Sequence, residues 1–255
     1  VFGTRAYPLA KLRSRQTNPA DPAERACVAA AVDVYHNRLL ADPRALRYVE
    51  ARGLDHATVE ACRLGFVAGD ELMSYLRWLC LPIRAAIRAG VLGRDGREFL
   101  SGRIVVPEIR EGQPLWLIGR TIDSGDPRPK YLGLPGRKPL LGWEFAAAQR
   151  DVWLVEGVFD YLALRSWGIP ALALLGTHPC PEHLQALARF AHVYLLLDND
   201  PAGRDGANQL LQHLGDRAVV VTLEGVNDVA ELALRPDGRS IFSRLLTVHS
   251  SARAA

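Results

Sequence analysis

Lysine is nearly missing from this chain: Lys11, Lys130 and Lys138 are the only ones among 31 basic residues, so arginine carries the positive charge. With alanine abundant as well, that bias is also what genome composition produces. Cysteine is sparse. Cys27, Cys62, Cys80 and Cys180 form no C-x-x-C pair and have no histidine at a ligand spacing, which argues against a zinc site or a disulfide framework. Incidental thiols in a reducing cytoplasm are the plain reading. No apolar run reaches the ~20 uncharged residues of a membrane helix; the stretch 72–87 is interrupted by Arg77, Pro82 and Arg84. A secretory signal, a Walker phosphate loop and an internal repeat are also missing. The chain opens on Val1, which suits a piece of a longer protein.

What is present is ordinary globular sequence, 255 residues long, 49% apolar and 23% charged, enough for one large domain or two small ones. The charge is divided unevenly. Residues 1–150 hold 23 basic and 16 acidic residues, a balance of +7, and residues 151–255 hold 8 and 12, a balance of −4. A basic half beside an acidic half suits a protein that grips a polyanion with one part and holds cations with the other.

Residues 1–25, with three prolines and few large apolar side chains, read as a linker or arm. Val28, Val32, Tyr35 and Leu39 have helical spacing over 26–40. Asp42-Pro43 predicts a second helix, with aspartate as cap and proline in the first turn. Asp55 opens a third, and a fourth covers about 70–89 before Gly90. Arg103–Ile109 and Pro114–Arg120 are strand-like and joined by Glu111-Gly112, a hairpin pattern; a loop rich in proline, glycine and basic residues runs from Asp123 to Lys138. From Asp151, strands (152–156, 170–175, 192–197, 218–223) alternate with helices (159–167, 181–190, 202–214), which predicts an α/β fold with a mainly parallel sheet. The expected division is a basic α+β lobe at 26–138 (helical over 26–90, strands over 99–122), a catalytic domain at 139–232, and a helical tail at 233–255.

Two acidic motifs close predicted strands. In Val152-Trp153-Leu154-Val155-Glu156-Gly157-Val158-Phe159-Asp160 and in Leu195-Leu196-Leu197-Asp198-Asn199-Asp200-Pro201-Ala202-Gly203, an apolar run ends in carboxylates at a turn. Open α/β sheets place ligands at such strand ends. If the first and third strands are neighbours, the motifs meet. Asp200 before Pro201 also suits a helix cap, and Asp160 a helix N-terminus. Glu156 and Asp198 end buried runs, where an unpaired carboxylate is costly unless a metal or basic partner offsets it. Asp228, after the last strand, is a fifth candidate.

Glu156-Gly157-x-x-Asp160, followed by Asp198-x-Asp200-x-Ala202-Gly203-Arg204-Asp205, resembles the Toprim signature. The series Ala45-Leu46-x-Tyr48-x-x-x-Arg52-Gly53-Leu54, Leu64-Gly65-Phe66, Ala89-Gly90-Val91, Gly102-Arg103-Ile104-x-x-Pro107, Gly119-Arg120, Pro129-Lys130-Tyr131-Leu132 and Leu175-Gly176-Thr177 is similar to the polymerase core of bacterial DnaG-type primases, in that family's order, over about residues 42–232. The resemblance implies a Toprim-type, Rossmann-like sheet flanked by helices, preceded by a mixed α+β lobe.

It implies further that Glu156, Asp198 and Asp200 are catalytic, and that with Asp160 and Asp228 they hold Mg2+ or Mn2+, more than one ion. Arg103, Arg120, Lys130, Tyr131 and Arg204 are expected to face nucleotide and template. The implied activity is DNA-templated synthesis of short RNA primers, a nucleotidyl transfer in replication. Its implied partners are single-stranded DNA, ribonucleoside triphosphates and a replicative helicase reached through regions outside these residues. No membrane and no zinc are implied, and the setting is the cytoplasm of a bacterium, or phage or plasmid replication. The family's zinc-binding and helicase-binding domains have no counterpart in these residues. Departures stand beside the matches. Val158-Phe159 replaces an aromatic-methionine pair, Asn199 a glycine, and Val229-Ala230 a proline and an acidic residue, with Glu231 the nearest acidic substitute. The same acidic cluster would serve a metal-dependent nuclease, and a degenerate nucleic-acid-binding module of a mobile element is the non-enzymatic alternative.

Overall fold

The computed structural model describes residues 21–176 and 178–251. Most of the arm expected over 1–25 lies outside them. Asp21 and Pro22 repeat the cap-then-proline pattern of Asp42-Pro43, and α1 (Pro22–Ala41) begins there, four residues before the apolar periodicity would start it. Asp21 accepts from the Ala23 N–H, and Asp42 accepts from the Arg44 and Ala45 N–H groups at the start of α2 (Pro43–Glu50). Asp55 caps α3 (His56–Ala61) through Thr58. These carboxylates satisfy N–H groups that the first helical turn leaves without partners.

A two-residue strand, β1 (Gly65–Phe66), follows and pairs with a later strand. The single helix expected over 70–89 is two, α4 (Leu72–Trp78) and α5 (Ile83–Ala89). Cys80 at φ +54° and Pro82 break it, neither continuing a right-handed helix cheaply. Next comes the expected hairpin, β2 (Arg103–Arg110) and β3 (Gln113–Thr121). Glu111 and Gly112 both have positive φ, +52° and +72°, as a two-residue turn matched to strand twist requires. Glu144 pins that turn by accepting from both backbone N–H groups, at 2.6 and 3.0 Å. Within the stretch expected to be loop, β4 (Tyr131–Gly133) adds a fourth strand. Gly133 is required there because a Cβ would overlap the buried Trp116 ring. The first sheet is antiparallel, ordered β1-β2-β3-β4.

After α6 (Trp143–Ala146), strands and helices alternate as expected: β5 (Asp151–Val155), α7 (Val158–Ser166), β6 (Ala171–Ala173), α8 (Pro181–Leu187), β7 (His192–Leu195), α9 (Pro201–Leu214) and β8 (Ala218–Val220). α10 (Val229–Ala233) and α11 (Gly238–Ser251) close the described chain. The second sheet is parallel, ordered β6-β5-β7-β8. β5 and β7, which carry the two acidic motifs, are therefore neighbours. One apolar cluster runs from Val28, Val32 and Leu39 of α1 through Trp116 and Leu117 of β3 to Trp153 and Val155 of β5. A second cluster, including Leu154, Leu172, Val193 and Leu210, fills the opposite face of the parallel sheet. At about 1.5–3 kcal/mol per fully buried large apolar side chain, the shared cluster holds the helices, the hairpin and the parallel sheet in register. Among the described residues no helix is long and apolar enough to cross a membrane.

Candidate active site

Glu156 follows β5 directly, Gly157 caps α7, and Asp160 lies in the first turn of that helix. A Cβ on Gly157 would overlap Asp160 Oδ2, so any larger residue there would push the Asp160 carboxylate out of place. Asp198 and Asp200 follow β7, and Asp228 follows β8 across the 221–227 loop. The two motifs meet where the adjacent strands end: the Asp198 backbone N–H donates to Glu156 Oε1 at 3.2 Å. Gly203, in the first turn of α9, packs into the same junction, where a Cβ would lie 2.7 Å from Glu156 Oε1 and overlap the Asp198 carbonyl oxygen.

Capping accounts for part of the acidic set. Asp200 Oδ1 accepts from the Gly203 N–H at 2.7 Å, and Asp228 Oδ1 from the Glu231 N–H at 2.6 Å. Each leaves its second carboxylate oxygen out of the cap. Asp160 is buried, and its Oδ1 accepts from the Ala230 N–H at 2.8 Å, tying α7 to α10. Glu231, the expected substitute for the acidic residue replaced by Ala230, is turned back onto Asn227, whose backbone N–H and side-chain amide it accepts from.

Burial, with Asp198 next and then Asp200 and Asp160, pushes the Glu156 carboxyl up to about 7. Burial, then Asp228 and Asp198, raises Asp160 to about 6. Burial, then Asp228 and Asp200, also raises Asp198. None of the five carboxylates has an ion-pair partner among the described residues. Nor, among those residues, do three or more His, Cys, Asp or Glu side chains already close around a point that could hold an ion. The donor set is hard oxygen, crowded and short of positive charge, which is the chemistry of a Mg2+- or Mn2+-type site.

The basic side is built by β3, β4 and α2. Arg120 on β3 donates to the Tyr131 hydroxyl at 2.6 Å, and its guanidinium lies 5.2 Å from the Tyr131 ring and 5.0 Å from the Phe159 ring. Lys130 Nζ is 5.9 Å from the Tyr131 ring, and Arg120, partial burial and Arg52 lower its affinity for a proton. A cleft of about 340 Å³ opens here, lined by Arg52, Arg120, Arg128 and Lys130 with Tyr48 and Asp123. Arg120, Lys130 and Tyr131 thus stand together as expected.

Two expected residues do not join them. Arg103 is fully buried, donating to the Lys130 carbonyl and to Asp126, so it holds the 123–130 loop from beneath instead of facing a ligand. Arg204 folds back on the acidic turn, donating to the Asn199 carbonyl at 3.2 Å. Arg52 is the addition. Its guanidinium sits 5.4 Å from the Tyr48 ring and 5.5 Å from the Phe159 ring. The Arg52-Gly53 pair after a helix carried a signal for this residue, but nothing in the spacing tied α2 to Phe159.

A Toprim-like family model matches residues 153–233. The DNA primase of Neisseria meningitidis serogroup A is 32% identical over 198 residues, 71% of this chain and 33% of that protein. Among solved structures, the Aquifex aeolicus primase (zinc binding and RNA polymerase domains) superposes with a TM-score of 0.79 at 26% identity, covering 89% of this chain and 60% of that one. A DnaG primase catalytic domain bound to ssDNA superposes at 0.70 with 25% identity, covering 88% and 78%. The chain spans about a third of the length of the curated primases it matches.

Proposed function

This chain belongs to the bacterial DnaG-type primases, built as their RNA polymerase core with a Toprim domain, and from that premise we propose that it makes short RNA primers on a DNA template. In this reading residues 26–138 grip nucleic acid and residues 139–232 carry the chemistry. The observation that supports it is the meeting of Glu156 and Asp198 at the ends of adjacent parallel strands, beside a cleft lined by arginine and lysine.

Glu156, Asp160, Asp198, Asp200 and Asp228 would hold Mg2+ or Mn2+. Such ions, when bound, lower the pKa of an attacking 3′-hydroxyl and neutralise a triphosphate. The chain's own groups supply the rest. The Asp198 N–H fixes one Glu156 oxygen, and Asp160 holds the α10 turn that presents Asp228. Arg52, Arg120 and Lys130 offer charge to template and nucleotide phosphates, and the rings of Tyr48, Phe159 and Tyr131 beneath them hold those charges in place. Arg103 contributes by positioning Lys130 and Asp126. The substrates in this reading are single-stranded DNA, which one similar primase domain is described as binding, and ribonucleoside triphosphates. The setting in this reading is bacterial, phage or plasmid replication in the cytoplasm, with a replicative helicase as a partner reached through regions outside these residues.

Incubation with mixed single-stranded templates, ribonucleotides and each divalent ion in turn tests the proposal. Primers of at least two nucleotides are expected, and Glu156→Ala and Asp198→Ala should each reduce their formation at least about a hundredfold while retaining the wild-type far-UV spectrum. Retained synthesis by both variants, or cleavage of the template with no ribonucleotide incorporation, would overturn it.

A further inference from the structure

Away from the acidic site, α4 carries a feature that the reaction does not use. Trp78 is 74% exposed, far more than a ring of that size usually is, and it stacks on Tyr75 with centroids 5.7 Å apart and planes 23° apart. Between them in sequence lies exposed Arg77. Residues 72–97 contain five arginines and one acidic residue, Asp95. Asp95 is used within its own turn, accepting from the Arg97 N–H. Arg88 is paired with Asp21 and Glu24, whereas Arg77, Arg84, Arg94 and Arg97 have no carboxylate partner among the described residues.

This charge is held in place. Buried Glu98 accepts from the Glu71 and Leu72 N–H groups, both at 2.8 Å, and so fastens the first turn of α4 to the segment just after Arg94 and Arg97. The Leu92–Glu98 bridge closes the 93–97 turn, and Met73 of α4 packs on Gly96 within it. Continuing along the chain, the Ser101 carbonyl accepts from Arg128, which lines the cleft beside Arg120 and Lys130. The patch and the cleft therefore share one stretch of backbone.

An exposed ring stacked on a half-buried one, with unpaired arginines on the same stretch of chain, is the composition of a stacking platform for unpaired bases. Every base offers a π-face to the ring, and the arginines meet the phosphates. We propose that Tyr75, Trp78 and Arg77, with Arg84, Arg94 and Arg97, form an outlying contact for the single-stranded DNA template where it runs outside the cleft. The proposal rests on the primase reading for the identity of the strand. The partner follows from charge: a solvent-facing ring in a segment that carries four arginines without carboxylate partners among the described residues complements a flexible polyanion.

The test is fluorescence anisotropy of the full chain with a labelled single-stranded oligonucleotide of about 25 residues and with a blunt duplex of the same length. Trp78→Ala should weaken single-strand binding about tenfold and leave duplex binding unchanged, because a duplex has no free base to stack. Trp78→Phe, which keeps a ring, should stay near wild type. Arg77→Ala with Arg84→Ala should make the affinity less steeply dependent on salt. Unchanged single-strand affinity in Trp78→Ala would overturn the proposal. So would an equal loss on both substrates, or sedimentation showing a wild-type dimer that Trp78→Ala dissolves, which would make the patch a protein interface. Primer synthesis by the wild-type chain, measured in parallel, judges the primase reading separately. Synthesis with an indifferent Trp78→Ala sinks the platform alone, and an effect of Trp78→Ala without synthesis sinks the primase reading alone.

Discussion

A single ring joins the two halves of the site. Phe159 is buried next to Asp160, with Arg52 and Arg120 each 5.0–5.5 Å from its centroid and Tyr48 edge-on at 6.5 Å. Where the family pattern has methionine, this chain has an aromatic face for two cations. Phe159→Leu keeps the apolar volume and removes that face. At about 0.5–1 kcal/mol for each of the two cation–π contacts, about 1–2 kcal/mol together, template affinity should fall about five- to thirtyfold with little change in kcat, as read by anisotropy and steady-state synthesis. Phe159 stands in the acidic motif, but its sequence context could not give it this role, because Arg52 arrives from the turn after α2 and Arg120 from β3, and only tertiary packing brings them together. Arg103 marks the opposite limit. A motif position fixes the residue type, while burial beneath the 123–130 loop decides whether it touches ligand or scaffold.

Glu108 gives a second test at this scale. It is fully buried on β2, accepts from the Gly142 N–H at 2.7 Å and from Arg110, and burial pushes its carboxyl up to about 7. In the unfolded chain the same group ionises near its ordinary value of about 4.3. Between those values the folded state keeps a proton that the unfolded state has lost. Stability should therefore fall as pH rises through that window, by at most about 1.4 kcal/mol per pH unit. Glu156 and Asp160 add slope of the same sign, so the informative quantity is a difference. Urea unfolding at pH 5 and pH 7.5 should show a smaller loss for Glu108→Gln than for wild type; equal losses would contradict the assignment.

Elements with strong punctuation were legible, and those built by contact were not. Asp42-Pro43, the Glu111-Gly112 turn and the strand–helix alternation after Asp151 could be read because cap, turn and period act locally. β1 and β4 could not, since two- and three-residue strands exist only through pairing with β2 and β3. The split between α4 and α5 at Cys80 and Pro82 was masked by the apolar pattern running across it. Two glycines test the difference between local geometry and tertiary fit. Gly203→Ala gains about 1 kcal/mol of helix propensity, but its Cβ would overlap the Asp198 carbonyl and crowd Glu156. Thermal melting should show a lower Tm, and synthesis should drop. Gly112→Ala meets nothing within 4 Å and suffers only from its φ of +72°. It should cost about 1 kcal/mol with synthesis unchanged. A Tm at or above wild type for Gly203→Ala would contradict close packing of α9 against the strand-end junction.

Across the whole molecule, the charge division seen in sequence becomes a physical division, with cations around the cleft of the first sheet and carboxylates at the strand ends of the second. Template affinity should fall steeply with salt. Arg128 is already paired with Asp126, so with about three phosphates neutralised by Arg52, Arg120 and Lys130, log K should drop with log salt at a slope of roughly −2. The adjacency of β5 and β7 turns two motifs distant in sequence into one acidic site, and the proposed nucleotidyl transfer depends on that site binding cations. Calorimetric titration of Mn2+ into the wild-type chain, Glu156→Gln and Asp198→Asn at pH 7.5 tests this directly. Saturable binding by wild type, weakened at least about tenfold in each variant, is the predicted result; no binding by wild type, or equal binding by all three, would contradict it.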